Sequence, residues 1–127
     1  MSGRLTRAFG YQGNPMELPV GDVEASVPFY ESMMGFRVLG REDTPQRAAT
    51  LARDAVEMRL VENGGDSTQD GCAFHVQGLD ALLESFRAAG LTTISGVSVE
   101  QRGDGPWNVF YVVAPDGLCF WFGERQA

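Results

Sequence analysis

Two stretches of the chain read alike: VGDVEASVPFYESMMG, Val20 to Gly35, and VQGLDALLESFRAAG, Val76 to Gly90. In the first, the apolar residues Val23, Val27, Tyr30 and Met34 recur at the spacing of one helical face. Asp22 stands where an N-cap belongs, Glu24 lies in the first turn, and Gly35 follows the last periodic residue as a stop. Pro28 falls in the interior, so the sequence predicts either a late start or a kink there. The second stretch predicts a helix over Leu79 to Ala89, stopped by Gly90.

Extended segments flank both helices. Met16 to Val20 precedes the first, and Phe36 to Leu39, Ala48 to Arg53 and Val56 to Val61 follow it. The last alternates cleanly, with Met58 and Leu60 on one face and Glu57 and Arg59 on the other. NGGDSTQDG, Asn63 to Gly71, has turn chemistry and nothing to bury, so it reads as a linker. Beyond it come Cys72 to Val76, the second helix, Thr92 to Ile94 (open to extension as far as Val99), Asn108 to Val113 and Leu118 to Gly123. Pro115, Asp116 and Gly117 supply a tight turn before the last strand.

The strands repeat as the helices do, because LARDAVEMRLVE from Leu51 lies over VVAPDGLCFWFGE from Val112. The predicted fold is therefore α+β: two tandem βαβββ modules, at about 14–62 and 71–124 with a linker at 63–70, in a single domain over 14–127 behind a flexible lead at 1–13. If each helix covers one face of its sheet, the other faces form a curved eight-stranded surface around a cavity. Strand parity then aims Glu57, Arg59, His75 and Trp121 into the cavity and sets Met58, Leu60, Phe74, Phe120 and Phe122 under the helices.

Composition narrows the chemistry. The chain has 10 arginines and no lysine against 17 Asp and Glu, a net charge of -7, and one histidine, His75. Without lysine there is no Schiff base and no phosphate-loop Lys, and one histidine cannot build a multi-histidine metal cage. Nucleic acid and anionic membranes are poor partners for an acidic chain, whereas a cationic or neutral apolar small molecule suits its charge. No apolar run approaches the roughly 20 residues that span a bilayer, and MSGRLTRAFGYQG has no apolar h-region, so a cytoplasmic location is expected. Cys72 and Cys119 sit in apolar runs outside any CxxC pair and read as buried small hydrophobes, with metal or redox chemistry as the alternative.

Each candidate site residue has two readings. Trp107, after Gly103 to Pro106, is either a tryptophan at a cavity mouth or one tucked on the core edge. Trp121, between Phe120 and Phe122, is cavity lining by parity or plain core. Glu57 and Arg59 form a solvated same-face ion pair or a pair that reads a ligand. His75 is a satisfied structural residue or a base or ligand contact. Tyr111 is a further lining candidate whose parity the sequence leaves open.

The stretches VGDVEASVPFYESMMGF, GLDALLESFRAAG and APDGLCFWFGE together resemble the vicinal oxygen chelate superfamily of glyoxalases, bleomycin resistance proteins and extradiol dioxygenases, over nearly everything from Pro15 to Glu124. The enzymes of that superfamily hold a divalent metal with His, Gln or Glu on four strands. Carried over, those positions fall on or near Pro15, on Glu57 or Arg59, on Gly71 and on Trp121. At most one ligand remains, so the resemblance implies a site without a metal or other cofactor. Within the superfamily RDAVEMRL, GLDAL and GPWNVFYVVAPDGLCFWFGE are most similar to bleomycin resistance proteins, dimers that sequester a cationic antibiotic unchanged. That implies a homodimer holding a small cationic or aromatic compound at Trp107, Trp121, Glu57, Arg59, His75 and Tyr111. Ala48 stands where those proteins carry an aromatic residue. The enzymatic alternative is a glyoxalase-like lyase or isomerase with Glu57 and His75 as acid and base, or a dioxygenase-type enzyme of the same superfamily with a non-standard site.

Overall fold

A computed structural model describes residues 3–10, 14–66, 68 and 70–126. In chain order the elements are β1 (Arg4–Gly10), β2 (Leu18–Pro19), α1 (Val23–Met33), β3 (Arg37–Glu42), β4 (Ala48–Arg53), β5 (Val56–Val61), β6 (Asp70–Gln77), α2 (Leu79–Ala88), β7 (Ser98–Arg102), β8 (Gly105–Val113) and β9 (Cys119–Arg125). The helix in each half begins and ends within one residue of where the sequence places it. Asp22 Oδ1 accepts the Ala25 N–H at 3.2 Å, and Gly35 takes the left-handed backbone (φ 73°) that ends the first helix. Pro28 neither delays nor ends α1, because Val23, Val27 and Tyr30 on its buried face anchor both sides of the missing hydrogen bond.

Two βαβββ modules follow from the sheet order. One sheet runs β2-β5-β4-β3 and the other β6-β9-β8-β7, each with its first strand parallel to its last and hairpins beyond. β4 and β5 match their predicted limits, whereas β2 is limited to Leu18 and Pro19 and β7 starts only at Ser98. Ile94 makes an isolated bridge to Val112. Within the linker, Asn63 and Asp66 carboxamide and carboxylate oxygens close turns on Gly65 N and Thr68 N, while Ser67 and Gln69 lie outside the described residues.

The lead at 1–13 is corrected over its described part. Arg4–Gly10 is a ninth strand, paired antiparallel with β6, which makes the second sheet five-stranded. A register shift between Leu5 and Arg7 breaks the alternation. Leu5 and Ala8 therefore face the main core while Phe9 joins a separate cluster on the opposite face. Met1, Ser2 and residues 11–13 lie outside the description.

A single core joins the modules. Met58, Leu60, Phe74, Phe120 and Phe122 are buried as parity predicts, together with both helices' apolar faces. Tyr30 of α1 meets Phe120 at 5.8 Å, and Phe36 meets Phe74 at 6.0 Å, so rings of the first module pack on the second sheet. Turn aspartates at equivalent repeat positions fasten the two halves. Asp54 accepts the Leu5 N–H at 2.9 Å, and Asp116 accepts the Tyr30 hydroxyl at 2.9 Å. Burial, then the Asp116 charge, holds the Tyr30 hydroxyl well above its ordinary pKa, so it remains a donor. Cys72 is buried in this core, which pushes its thiol up, and Cys119 is partly exposed. No described helix is long and apolar enough to cross a membrane.

Candidate functional site

The outward face of the five-stranded sheet carries a second apolar cluster, separate from the main core. Ala73 of β6, Trp107 and Val109 of β8 and Trp121 of β9 are buried there, with Phe9 and Tyr111 packed against them. Register explains the meeting: Tyr111 lies opposite Trp121, Trp121 beside Ala73, and Ala73 opposite Phe9. His75 stands 4.7 Å from the Trp107 ring and 4.7 Å from Phe9, and the two indoles are 5.9 Å apart. Gly123 makes room for this. A Cβ there would come within 2.2 Å of the Trp121 ring, so the strand needs a residue with no side chain.

Every indole N–H and the phenol in the cluster has an acidic acceptor. Trp107 Nε1 donates to Asp104 at 2.8 Å, Trp121 Nε1 donates to Glu100 at 3.2 Å, and the Tyr111 hydroxyl donates to the same Glu100. Arg102 balances Glu100 at 3.5 Å and lays its guanidinium over Trp121, 5.0 Å from the ring centre. Above these groups opens a cavity of about 250 Å³ lined by Arg7, Phe9, His75, Arg102, Asp104 and Trp107. Partial burial, then the Arg7 charge, holds the His75 imidazole below its ordinary pKa; Asp104 acts the other way, and Arg102 again lowers it. Asp104 is itself held low, first by the Trp107 hydrogen bond.

Four of the six sequence candidates thus share one face: Trp107, Trp121, His75 and Tyr111. Trp107 belongs to a strand rather than a loop and is 8% exposed, at the cavity wall. Trp121 is 2% exposed, packed beneath Arg102 and outside the cavity lining. Glu57 and Arg59 lie on the four-stranded sheet, and no cavity-lining residue comes from that sheet. Their expected mutual ion pair gives way to Arg59 reaching Glu42 on β3 at 3.3 Å. Ala48 is also on that sheet, opposite Glu42 and Val61. Sequence reading missed Arg7, Phe9, Glu100, Arg102 and Asp104. No local period marks Arg7 and Phe9, because the register shift after Leu5 interrupts the alternation of β1. A larger cavity of about 430 Å³ lies by Arg37, Arg53 and Phe86, but Arg53 there is tied to the Met34 carbonyl at 2.6 Å and to Asp54 at 3.2 Å.

Residues 13–122 match the profile of the Glyoxalase/Bleomycin resistance protein/Dioxygenase superfamily. The chain belongs to this superfamily. A lactoylglutathione lyase of Haemophilus influenzae is 31% identical over 123 residues, 87% of this chain and 90% of that protein. Among solved structures, the bleomycin resistance determinant encoded on transposon Tn5 matches with a TM-score of 0.68 at 18% identity, covering 88% of this chain and 96% of the other. The bleomycin-binding protein of Streptomyces verticillus, complexed with copper(II)-bleomycin, matches at 0.67 and 23% identity over 91% and 98%. These two likenesses establish the fold.

The superfamily's metal positions do not fit a metal here. Pro15 offers no donor side chain and its carbonyl is taken by the Arg59 N–H at 2.8 Å. Gly71 has no side chain, and a Cβ there would meet the Phe120 ring at 2.9 Å. Trp121 carries only an N–H, already donated to Glu100. Glu57 is the one carboxylate among them, exposed on the four-stranded sheet away from Gly71 and Trp121, and at least three protein ligands are the rule for a catalytic divalent ion. Among the described residues no group of three or more His, Cys, Asp and Glu comes together elsewhere.

Proposed function

We propose that this superfamily member is a metal-independent binding protein, acting as a homodimer, that captures a small aromatic compound unchanged at the face formed by Trp107, Trp121, His75 and Tyr111. The observation that carries this is the aromatic wall beside a 250 Å³ cavity. Flat rings recognise flat rings by stacking, with about 0.5–1.5 kcal/mol per aromatic pair beyond area burial. Membership of a superfamily whose description includes bleomycin resistance proteins, together with the likeness in fold to a bleomycin-binding protein, supports capture. The missing donor set supports the absence of a metal step.

The test is a fluorescence titration of purified protein with bleomycin and with a panel of neutral, cationic and anionic aromatic compounds. Saturable quenching that disappears in Trp107→Ala is expected. Absence of saturable quenching by every member of the panel overturns capture at this face. A tight, stoichiometric site for zinc, nickel or iron(II) in calorimetry overturns the metal-independent reading. Sedimentation equilibrium tests the homodimer.

The 31% identical lactoylglutathione lyase favours a second reading, a glyoxalase-like lyase or isomerase. Its acid–base pair, Glu57 and His75, draws no support from the geometry, since the charged groups that act on His75 are Arg7, Asp104 and Arg102. Lactoylglutathione formation by the metal-supplemented protein, abolished in Glu57→Gln, is the result that favours the enzyme.

A further inference from the structure

We infer that the aromatic compound held at this face carries an anionic group, read by the guanidinium of Arg7 with Arg102 beside it; this rests on the capture reading above. The chain as a whole is acidic, at -7, which taken alone favours a cation. The cavity is different. Its charged lining is Arg7, Arg102 and Asp104, two cations and one carboxylate.

The carboxylates at the cavity are already engaged. Asp104 accepts the Trp107 N–H at 2.8 Å, and Glu100 accepts from Trp121 and Tyr111 and pairs with Arg102 at 3.5 Å. Arg7 is in the opposite condition. It lies exposed on β1 directly opposite His75, its guanidinium is 5.7 Å from the Phe9 ring, and among the described residues no carboxylate lies within ion-pair distance of it. A guanidinium beside an aromatic wall has five donors in a planar fork, the geometry that binds a carboxylate, sulfonate or phosphate at two points. Arg102 is balanced by Glu100, so the guanidinium left to a ligand at cavity distance is that of Arg7, while the diffuse acidic surface is screened by salt beyond about 8 Å.

A matched set of probes tests the inference: 2-naphthoate, 2-naphthalenemethanol and 2-naphthylmethylammonium, which share one ring system and differ in charge. In calorimetric titrations 2-naphthoate is expected to bind at least about tenfold more tightly than the other two. In Arg7→Gln, and separately in Arg102→Gln, the ratio of 2-naphthoate to 2-naphthalenemethanol affinity falls to about threefold or less. Near-UV circular dichroism confirms that each variant keeps its aromatic cluster. Equal binding of all three probes, or preference for the ammonium, overturns the anionic group and leaves aromatic capture standing. Binding of none of them overturns both. Retention of the full preference in both variants shows that these arginines do not read the charge and overturns the assignment.

Discussion

The last strands of the two modules occupy equivalent places in their sheets and differ in almost everything they turn outward. β5 presents Glu57 and Arg59, β9 presents Cys119 and Trp121. The inward residues, Met58 and Leu60 against Phe120 and Phe122, are buried alike. The repeat thus keeps what a sheet needs to sit on a shared core, and the outward face is where the modules diverge. On the first sheet Arg59 meets Glu42, 50% exposed, an ion pair of small worth. On the second, rings from four strands close over one another and order the carboxylates around them.

The most direct way to break this comparison is to remove the outward residue from each strand. Trp121→Ala is expected to cost about 3–5 kcal/mol in urea unfolding, and Arg59→Ala at the equivalent place about 1 kcal/mol or less. Similar losses in both would mean that the two outward faces are energetically alike. A smaller effect is expected at the next pair. Gly123→Ala forces the Trp121 ring aside and should cost about 1–3 kcal/mol with loss of the near-UV signal, although Val61 is tolerated at the equivalent place.

Helix capping sharpens the comparison further. Glu62 and Glu124, matched in the repeat, both reach back to a helix N-terminus. Glu62 accepts the Val23 N–H at 2.9 Å, and Glu124 accepts Gly78 and Leu79 N–H at 2.9 and 3.1 Å. α1 has Asp22 as its own cap, whereas α2 begins at Gly78 with no side-chain cap. Glu124→Ala should therefore lower stability by about 1–2 kcal/mol and Glu62→Ala by less, measured in the same unfolding assay. Equal losses would show that Asp22 adds nothing to its helix.

The smallest expected effect is on pH dependence. His75 has a folded-state pKa below its ordinary value, so the unfolded chain takes up this proton first on acidification. Its contribution is complete above about pH 6.5 and is lost as pH falls through the folded value. The melting temperature of His75→Gln should consequently fall less between about pH 7.5 and 5.5 than that of the unaltered chain. An identical fall in both would remove His75 from the acid response.

How much of this was legible in the sequence varies by region for physical reasons. β4 and β5 match the sequence limits to the residue because an apolar run in β4, alternation in β5 and the turns that flank both are local signals. The first module's outward charges were read as a mutual pair because spacing alone cannot show Glu42 arriving from another strand. Trp121 and His75 were placed on a common face by parity, and the structure puts them 6.4 Å apart. Arg7 and Phe9 were out of reach, since the register shift after Leu5 hides the period that would have marked a strand.

The sequence by itself determined the two βαβββ modules, their helix limits and the inward core, because period, caps and turns act over a few residues and repeat when the module repeats. Tertiary structure alone decided that the N-terminal strand completes the second sheet and that its Arg7 and Phe9 stand beside His75. It also decided that Glu57 and Arg59 lie apart from the aromatic face. Those outcomes depend on which distant edges pair and in what register, and a strand edge offers the same backbone donors and acceptors to any partner until the side chains of both have been brought together.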